Sequence, residues 1–280
     1  MPLKLGLIGY PINHSLSPWI HNEFMQRLGI EGEYLLYEVP EANLGTMINH
    51  IKEMKLNGFN VTVPYKQAII PYLDFLDSDA EKIGAVNTVV NENGKWKGYN
   101  TDGQGYIRSV KMSFPDLFGA SKKVLLLGAG GAARGIYRAL THEPFERIDI
   151  ANRTGERARS LLDVKEDRVE TSILSFQEAE QQLFNYDFIV QTTSVGMKPN
   201  VADQVISLEN LKENTVVSDI IYQPILTSFL KNAQRQNGRT HLGHAMLLYQ
   251  AQLAFQIWTG KTVPLDRTLS KLEQRLRGNE

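Results

Sequence analysis

The stretch 124–135, VLLLGAGGAARG, constrains the fold of this chain more than any other. An apolar run of strand length breaks into glycines, and apolar residues then resume at helical spacing. This order of strand, tight turn and helix is typical of the entry to a dinucleotide-binding unit. In such a unit Gly128 permits the turn, Gly130 lets the backbone approach a pyrophosphate, and Ala133 keeps the helix close to the strand. The phosphates then bind the amides at the helix N-terminus.

The next strand of the same unit bears on the choice of dinucleotide. Residues 147–151 predict a strand that ends at Asn152, Arg153 and Thr154, about two dozen residues after the first glycine. An NAD site is expected to place an acid near this end to bind the ribose 2′-hydroxyl. Arg153 stands there instead, and a guanidinium pairs well with a 2′-phosphate, so the site favours NADP. The nearest acid, Asp149, lies inside the strand, where the simplest interpretation is a polar edge position.

Length and composition exclude several classes of protein. The 280 residues suffice for two domains, and the hydrophobic content of 42% is typical of a soluble protein. A formal net charge of −1 argues against a general nucleic-acid or membrane surface. Cysteine is absent, which excludes disulfides, thiolate metal sites and a cysteine nucleophile. The histidines lack metal-ligand spacing, and no signal peptide or spanning segment is evident, so we expect a cytoplasmic protein without a metal site.

The first helix follows a predicted strand and a polar loop. Pro18 suits the first helical position, which makes Ser17 the expected N-cap. Every fourth residue of the helix is apolar, at Ile20, Phe24 and Leu28. Ser17 then either only caps the helix or, together with Ser15, holds a small carboxylate at the helix N-terminus.

The segment 59–66, FNVTVPYK, predicts a strand with two distinct faces. The apolar residues 59, 61 and 63 share one face, which leaves Asn60 and Thr62 side by side on the other. Pro64 cannot donate to the ladder, so the strand is expected to stop there with Lys66 just beyond it. Ligands of open α/β sheets lie beyond the carboxyl ends of strands. Lys66 is therefore either a solvated surface lysine or a group that delivers a proton beside hydroxyl-binding neighbours.

A predicted hairpin leads to an acidic residue at the junction of the two halves. Residues 84–90 and 96–100 predict paired strands joined by the turn 91–94. Asp102 follows, just before a helix that carries Ile107 and Val110. It either caps that helix or places a carboxylate in the cleft of a two-domain enzyme.

The last third of the chain predicts two more strand tips and two helices. Residues 186–191 and 215–218 predict buried strands that end on the ligand-facing side of the sheet. A helix runs from Gly243 to about residue 258, with Gly243 and Gln250 on one face. That face is either plain core or one where the glycine admits a nicotinamide ring and Gln250 bonds a substrate hydroxyl. A final amphipathic helix, 265–276, is expected to pack on the first domain.

Nine motifs, in order across nearly the whole chain, resemble the shikimate dehydrogenase family. They are the segments SLSP at 15–18, NVTVPYK at 60–66, GAVNT at 84–88, NTDG at 100–103, GAGGA at 128–132, NRT at 152–154, TTSVGM at 192–197, DIIYQP at 219–224 and GHAMLLYQ at 243–250. The resemblance implies an α/β chain of two domains. Residues 1–102, completed by C-terminal helices from about 242 to 280, would form the substrate domain, and 103–241 a Rossmann-type, doubly wound domain that binds NADP.

The resemblance also implies an activity and the residues that carry it. The activity is the reversible NADPH-dependent reduction of 3-dehydroshikimate to shikimate, in aromatic amino acid biosynthesis. Lys66 and Asp102 would form the catalytic pair. The residues implied to bind the substrate are Ser15, Ser17 and Tyr222 at its carboxylate, and Thr62, Asn87, Asp102 and Gln250 at its ring hydroxyls. The residues implied to bind NADP are Gly128, Ala129, Gly130, Gly131, Ala132, Asn152, Arg153, Thr154, Gly155, Glu156, Arg157, Ile220 and Gly243.

The lysine and the carboxylate suit this chemistry independently of the family. Hydride transfer to a ketone creates an alkoxide that must receive a proton, and an ammonium beside a carboxylate supplies one without a metal or a cysteine. Two rival functions remain, an NAD-dependent quinate/shikimate dehydrogenase and a non-catalytic NADP-binding sensor of the same fold. The sequence leaves open the role of Ser78 and the choice between a monomer and a homodimer.

Overall fold

The computed structural model describes residues 2–278, which divide into two compact units. The first comprises the chain up to Thr101 together with Gln250–Thr268, and the second comprises Asp102–Tyr249 and the segment from Leu269 onward. The predicted C-terminal contribution to the first domain began at about 242 and ran to 280. The structure gives the first unit only the middle of that segment.

A mixed sheet forms the centre of the first unit. Its strands are β1 (Leu3–Gly9), β2 (Gly32–Glu38), β3 (Gly58–Val61), β4 (Phe75–Leu76), β5 (Thr88–Glu92) and β6 (Lys95–Tyr99). Within residues 2–278 their order across the sheet is β2-β1-β3-β5-β6-β4. β1 runs parallel to both of its neighbours, whereas β5 is antiparallel to β3 and β6. The predicted hairpin of β5 and β6 is therefore confirmed.

Three helices accompany this sheet before the chain enters the second unit. They are α1 (Ser17–Leu28), α2 (Leu44–Met54) and α3 (Ser78–Ile83). The apolar face predicted for α1 is confirmed at Ile20 and Phe24, which are fully buried, while Leu28 is only half-buried. The predicted capping role of Ser17 is wrong. Leu16 occupies the N-cap without a side-chain hydrogen bond, and Ser17 is already the first helical residue.

The strand predicted over 59–63 is shorter in the structure. β3 ends at Val61 because the backbone turns at Thr62, whose C=O accepts from the N–H of Tyr65 at 2.9 Å. Val63 consequently does not share the buried face of the strand and is 70% exposed. Asn60, predicted to lie on a ligand-facing surface, is instead buried.

The second unit is built on a parallel sheet with the strand order of a doubly wound fold. Its strands are β7 (Lys123–Leu127), β8 (Arg147–Ala151), β9 (Ile173–Leu174), β10 (Phe188–Gln191), β11 (Val216–Asp219) and β12 (Arg239–His241). Their order within the described residues is β12-β11-β10-β7-β8-β9. Each of the pairs is parallel. This confirms the predicted Rossmann-type domain, with its reversal of strand order beside β7.

The remaining helices cover both faces of this sheet or continue beyond it. They are α4 (Asp102–Ser113), α5 (Gly131–Thr141), α6 (Gly155–Arg159), α7 (Phe176–Gln181), α8 (Ser228–Arg235), α9 (Gly243–Thr259) and α10 (Asp266–Arg277). α9 and α10 match the two helices predicted at the end of the chain. Most of α10 belongs to the second unit, whereas the sequence suggested packing on the first domain. Within residues 2–278, none of the helices has both the length and the apolar character needed to cross a bilayer.

Candidate active site

Two parallel neighbouring strands of the first unit bring several predicted residues to one edge of its sheet. β1 and β3 pair in register, so their carboxyl ends lie side by side. The loop that carries Ser15 and Ser17 follows β1, and the turn that carries Thr62 and Lys66 follows β3. Ligands of α/β sheets lie at such an edge.

A glycine allows these two loops to approach each other closely. A Cβ built on Gly9 would lie 2.4 Å from the Cγ2 atom of Thr62 and 2.5 Å from that of Ile12. Any side chain at this position would therefore displace either the turn after β3 or the loop after β1. The Tyr10 N–H donates to the Val63 C=O at 3.0 Å and holds the same two segments together.

The two serines lie at the start of α1. The Ser15 N–H donates to the C=O of Ile12 at 2.9 Å, and the Ser15 hydroxyl accepts from the Ser17 N–H at 3.2 Å. Both side chains are half-buried. The Ser17 N–H is thus already bonded and Pro18 has no N–H, so what the start of α1 offers a ligand is two hydroxyl groups at the positive end of the helix dipole, a combination that suits a carboxylate.

Lys66 is held by its backbone in the turn after β3. Its C=O accepts from the N–H of Val86 at 2.7 Å, which ties the turn to the segment between α3 and β5. The side chain is half-buried rather than fully solvated. The phenol of Tyr65, next along the chain, is buried and donates to the C=O of Val39. The backbone at the base of the lysine is therefore fixed.

Asn87 lies at the same edge inside a network of hydrogen bonds. Its C=O accepts from the Val61 N–H at 2.8 Å, which places it beside the end of β3. Its side-chain oxygen accepts from the Thr101 N–H at 2.8 Å, and its amide nitrogen donates to the Thr101 hydroxyl at 2.9 Å. Only 2% of Asn87 is exposed, so this carboxamide is held in one orientation.

In the second unit, the glycine turn after β7 has the conformation that the sequence predicts. Gly128 has a φ of +105°, a region that disfavours side chains. A Cβ there would also lie 2.7 Å from the hydroxyl of Thr192, whose segment follows the neighbouring strand β10. The predicted close packing of the helix against the strand is confirmed by Ala133, which is fully buried.

The surface over this turn fits a dinucleotide pyrophosphate. A Cβ built on Gly130 or Gly131 meets no heavy atom within 4 Å, so the backbone is open to approach. Gly130 is the N-cap of α5 and supplies no side-chain cap. A helix that begins in this way offers backbone N–H groups and the positive end of its dipole to an anion.

Arg153 and Asp149 have different surroundings at β8. Asp149 is the acid that could have indicated NAD. Arg153 is exposed, and the neighbouring Asn152 amide donates to the Thr154 C=O at 2.8 Å. Asp149 is 3% exposed and accepts from the Ser172 N–H at 2.7 Å and the Tyr186 hydroxyl at 2.9 Å.

The same acid also forms an ion pair with Arg147 at 2.8 Å. The interpretation of Asp149 as a polar edge position is wrong, because β8 lies between β7 and β9 and the carboxylate joins groups of neighbouring segments. The carboxylate of Asp149 is therefore already bound by other side-chain and backbone groups of the protein.

Beyond Thr154 the chain enters α6, which begins at Gly155 and presents Glu156 and Arg157 to solvent. Nearby, the guanidinium of Arg134 on α5 donates to the Ser160 C=O at 2.6 Å. This contact holds the segment after β8 against the helix that follows the glycine turn.

A recess of about 340 Å³ lies at the tips of β10 and β11, within the second unit. Ile220 and Tyr222 line it together with the segment that begins at Thr192. Burial raises the pKa of the Tyr222 hydroxyl above its ordinary value, so it remains a hydrogen-bond donor at neutral pH.

Two buried polar side chains hydrogen-bond the segments whose residues line this recess. The Gln191 amide donates to Asp219 at 3.3 Å, and Asp219 also accepts from the Ile221 N–H at 2.9 Å and the Thr227 hydroxyl at 2.8 Å. The sequence pattern did not reveal this role of Gln191 and Asp219, although each ends a buried strand.

Gly243 has a structural role that differs from the one suggested by the sequence. A Cβ on this residue would lie 2.4 Å from the C=O oxygen of Ile220 and 2.5 Å from that of Ile221. The glycine is therefore required by the backbone of the segment after β11, whether or not a ring packs beside it. Its contact with Ile220 does bring the two residues predicted to line the nicotinamide together.

The last two predicted residues lie where the chain passes from one unit to the other. Asp102 is the first residue of α4 and is 8% exposed, and Gln250 is half-buried in α9. Asp102 belongs to the second unit and Gln250 to the first. Among residues 2–278, no group of three or more histidine, aspartate or glutamate side chains is arranged to hold a metal ion.

Family models match both halves of the chain. A model described as the shikimate dehydrogenase substrate binding domain matches residues 7–89. One described as shikimate / quinate 5-dehydrogenase matches 109–222, and one described as the shikimate 5′-dehydrogenase C-terminal domain matches 243–273.

Individual proteins agree with these models. The chain is 50% identical, over 99% of its length and 100% of the relative's, to a shikimate dehydrogenase (NADP(+)) of Oceanobacillus iheyensis. Its fold matches a crystal structure of shikimate dehydrogenase in complex with NADP+ at a TM-score of 0.90, with 36% identity over 98% of this chain and 96% of the other. A shikimate 5-dehydrogenase of Listeria monocytogenes in complex with shikimate and NAD matches at 0.89, with 34% identity over 97% and 96%. The chain therefore belongs to the shikimate dehydrogenase family.

Proposed function

We propose that this chain is an NADP-dependent shikimate dehydrogenase, an oxidoreductase that interconverts shikimate and 3-dehydroshikimate. The observation that carries the proposal is the full-length match to an enzyme of that name at 50% identity. The two units supply matching chemistry, because one has polar side chains at the edge of its sheet and the other has an open glycine turn.

The substrate side of the proposal uses hydroxyl and amide side chains and one acidic residue. The hydroxyls of Ser15 and Ser17, at the positive end of the α1 dipole, bind the carboxylate together with Tyr222. Thr62, Asn87, Asp102 and Gln250 hold the ring hydroxyls. Asn87 supports this assignment best, since its carboxamide is fixed by the two Thr101 bonds before any ligand binds.

The catalytic step transfers a hydride and a proton in balance. A bound NADP would supply the hydride acceptor for the carbon that carries the reacting hydroxyl, so that this carbon could become a carbonyl. Lys66 takes the hydroxyl proton in this direction and returns it in the other, with Asp102 orienting the ammonium. The hydrogen bond from the Val86 N–H to the Lys66 C=O supports this role, because it fixes the backbone from which the amine extends.

The cofactor side uses the turn at 128–132 and the segment 152–157. The pyrophosphate binds the amides at the start of α5, and Arg153 binds the 2′-phosphate. Asp149 supports NADP over NAD, because its carboxylate is already bound by Arg147, Ser172 and Tyr186. Ile220 and Gly243 line the nicotinamide.

The proposal includes the domain boundaries that the sequence suggests. Residues 1–102, completed by C-terminal residues from about 242, form the substrate domain, and 103–241 form the NADP domain. The proposal also includes a cytoplasmic location. Sedimentation velocity of the purified chain distinguishes a monomer from a homodimer, and cell fractionation tests the location.

The deciding experiment measures the reduction of the nicotinamide by absorbance in four combinations, NADP or NAD with shikimate or quinate. We expect the highest kcat/KM for shikimate with NADP, at least about tenfold above the other three. Fastest turnover of quinate with NAD would support the rival dehydrogenase, and NADP binding without any turnover would support the sensor. Either result would contradict the proposal.

A further inference from the structure

We propose that Tyr34 is a positioning residue for substrate binding, because its buried hydroxyl fixes the carboxamide of Asn60 and, through Thr88, orients the side chain of Asn87. The inference rests on the proposed function, in which Asn87 holds a ring hydroxyl of the substrate. Tyr34 lies on β2 and belongs to none of the motifs that identify the family.

The chain of hydrogen bonds begins at Tyr34. Its hydroxyl donates to the Asn60 side-chain oxygen at 2.7 Å. The Asn60 amide nitrogen donates in turn to the Asn87 C=O and to the Thr88 hydroxyl, each at 3.0 Å. Because a carboxamide has a donor end and an acceptor end, the Tyr34 donor at one end and the Asn87 C=O acceptor at the other together determine which end of Asn60 faces Thr88.

In the second step, Thr88 connects the orientation of Asn60 to that of the Asn87 side chain. The Thr88 oxygen accepts from Asn60 and donates its own proton to the Asn87 side-chain oxygen at 3.0 Å. The same oxygen accepts from the Thr101 N–H. The Thr101 hydroxyl lies 3.3 Å from the same oxygen and can also donate to it. These donors hold the oxygen of Asn87 toward the protein, so a substrate hydroxyl that Asn87 holds meets the amide nitrogen. A reversed Asn60 would present its oxygen to Thr88 and draw the threonine proton away from Asn87, which weakens this orientation.

The surroundings of Tyr34 keep its hydroxyl a donor. The residue is 3% exposed, and its ring stacks on His21 with centroids 4.5 Å apart and planes inclined by 11°. Burial raises the pKa of Tyr34 well above its ordinary value, although Ser17 opposes the rise, so the phenol stays protonated.

His21 packs against the Tyr34 ring as an uncharged imidazole. Burial lowers the pKa of His21 to about 3, against an opposing effect of the Asn60 side chain. Neither ring nitrogen of His21 has a hydrogen-bond partner of good geometry within the described residues. Phe255 and Trp258 lie on other sides of the same imidazole, with centroids at 6.1 and 5.1 Å. The position of the Tyr34 ring therefore depends on packing. Only its hydroxyl orients the carboxamide of Asn60.

The first test removes that hydroxyl and keeps the ring. In Tyr34→Phe we expect KM for shikimate to rise about five- to tenfold, the effect of one buried hydrogen bond, while kcat and KM for NADP stay within about twofold. Tyr37→Phe, the same change on the same strand at a half-buried residue, is the matched control and should leave all three constants unchanged. A Tyr34→Phe variant that loses only thermal stability, with the wild-type KM for shikimate, would overturn the proposal.

A second test asks whether Tyr34 acts through Thr88. Thr88→Val preserves the shape of the side chain and breaks the chain of bonds one step nearer to Asn87. We expect the double variant Tyr34→Phe/Thr88→Val to show the same KM for shikimate as Thr88→Val alone, because residues that act in series are not additive. Effects that multiply would mean that Tyr34 acts by another route and would contradict the proposal.

A third test needs no substrate and separates this inference from the proposed function. The side-chain amide of Asn87, observed by NMR in the ligand-free full-length protein, should exchange its hydrogens faster in Tyr34→Phe and at the wild-type rate in Tyr37→Phe. Faster exchange together with a wild type that does not turn over shikimate would leave the orientation of Asn87 standing and remove the proposed function. Shikimate turnover with unchanged exchange would refute the role of Tyr34.

Discussion

The two units bury polar side chains at their sheets in different ways. In the first, Tyr34, Asn60 and Asn87 belong to a chain of neutral hydroxyls and amides. In the second, the carboxylate of Asp149 is paired with the guanidinium of Arg147. Neutral groups that are hydrogen-bonded can orient one another at little desolvation cost. A buried charge, in contrast, costs several kcal/mol unless it is fully paired. We infer that the neutral chain serves ligand geometry and the ion pair serves the stability of the sheet.

This contrast predicts that changes in the first unit alter the handling of shikimate, and that changes at Asp149 alter folding instead of cofactor choice. Four experiments test this expectation.

The largest effect is expected at Lys66. Lys66→Ala should lower kcat by about 10²- to 10⁴-fold and leave KM for shikimate within a few-fold, because a proton donor acts mainly in the transition state. Steady-state kinetics with saturating NADP measure both constants. Lys82→Ala, which removes an exposed lysine from α3, is the control. Near-normal turnover in Lys66→Ala would remove this residue from the mechanism.

Asp149 should show the next largest effect, on stability. Asp149→Asn removes the charge from a buried network and is expected to lower the free energy of unfolding by about 2–4 kcal/mol. Urea denaturation followed by circular dichroism measures it, with Asp163→Asn at an exposed position as the control. The ratio of NADP to NAD activity should not change. A variant that becomes more selective for NADP would show that Asp149 faces the cofactor after all.

Arg153 provides the counterpart in the same unit. Arg153→Ala should raise KM for NADPH about 10- to 30-fold with little change in kcat, because a charge-assisted contact to the 2′-phosphate is lost while NADH, which has none, is unaffected. Arg235→Ala, at an exposed arginine of α8, is the control. An unchanged preference between the two cofactors would refute the assignment of Arg153 to the 2′-phosphate.

The smallest effect is a difference in pH dependence. The pKa of His21 is about 3 in the folded first unit and 6.5 in the unfolded chain, so the unfolded state takes up its proton first. The stability due to neutral His21 is complete above pH 6.5 and is lost as the pH falls toward 3. Between pH 7 and pH 6 the loss is about 0.7 kcal/mol.

Protonation of Asp219, in the second unit, changes the free energy of unfolding in the opposite direction. Burial raises its pKa to about 6 from 3.8, so the folded carboxyl takes up its proton first and stability is gained as the pH falls from 6 toward 3.8. His21→Phe should therefore flatten the acid side of the stability curve, and Asp219→Asn should steepen it. Denaturant titrations between pH 7 and pH 5 measure both, with His50→Phe, at an exposed histidine, as the control. An unchanged curve in His21→Phe would show that its protonation is not coupled to folding.

Local signals explain why much of the architecture could be predicted. The apolar run before Gly128, the glycines themselves and the apolar period of α5 act within a dozen residues of one another, and the structure confirms the turn. The hairpin of β5 and β6 was predictable for the same reason, since its turn at Asn93 and Gly94 needs positive φ angles.

Other features depended on contacts that a linear pattern does not show. Asp149 was misread because Ser172 and Tyr186, which bond it, lie far along the chain. The cap at Ser17 failed because a serine before Pro18 does not reveal where the first helical hydrogen bond closes, and Leu16 accepts it from Ile20. The backbone of Ile220 and Ile221, which requires a glycine at 243, cannot be seen in a linear pattern either, and the nicotinamide contact of Gly243 stays a prediction.

The sequence by itself determined the α/β class, the position of the dinucleotide turn and the family, because short-range glycine, proline and apolar spacing governs each of these. The tertiary structure decided which polar groups are committed to the fold and which face a ligand. Tyr34, Asn60 and Asn87 are dozens of residues apart in the chain and become neighbours only when β2, β3 and β5 enter one sheet. The direction of a hydrogen bond depends on that packing, because the donor and the acceptor must meet at about 3 Å before either can orient the other.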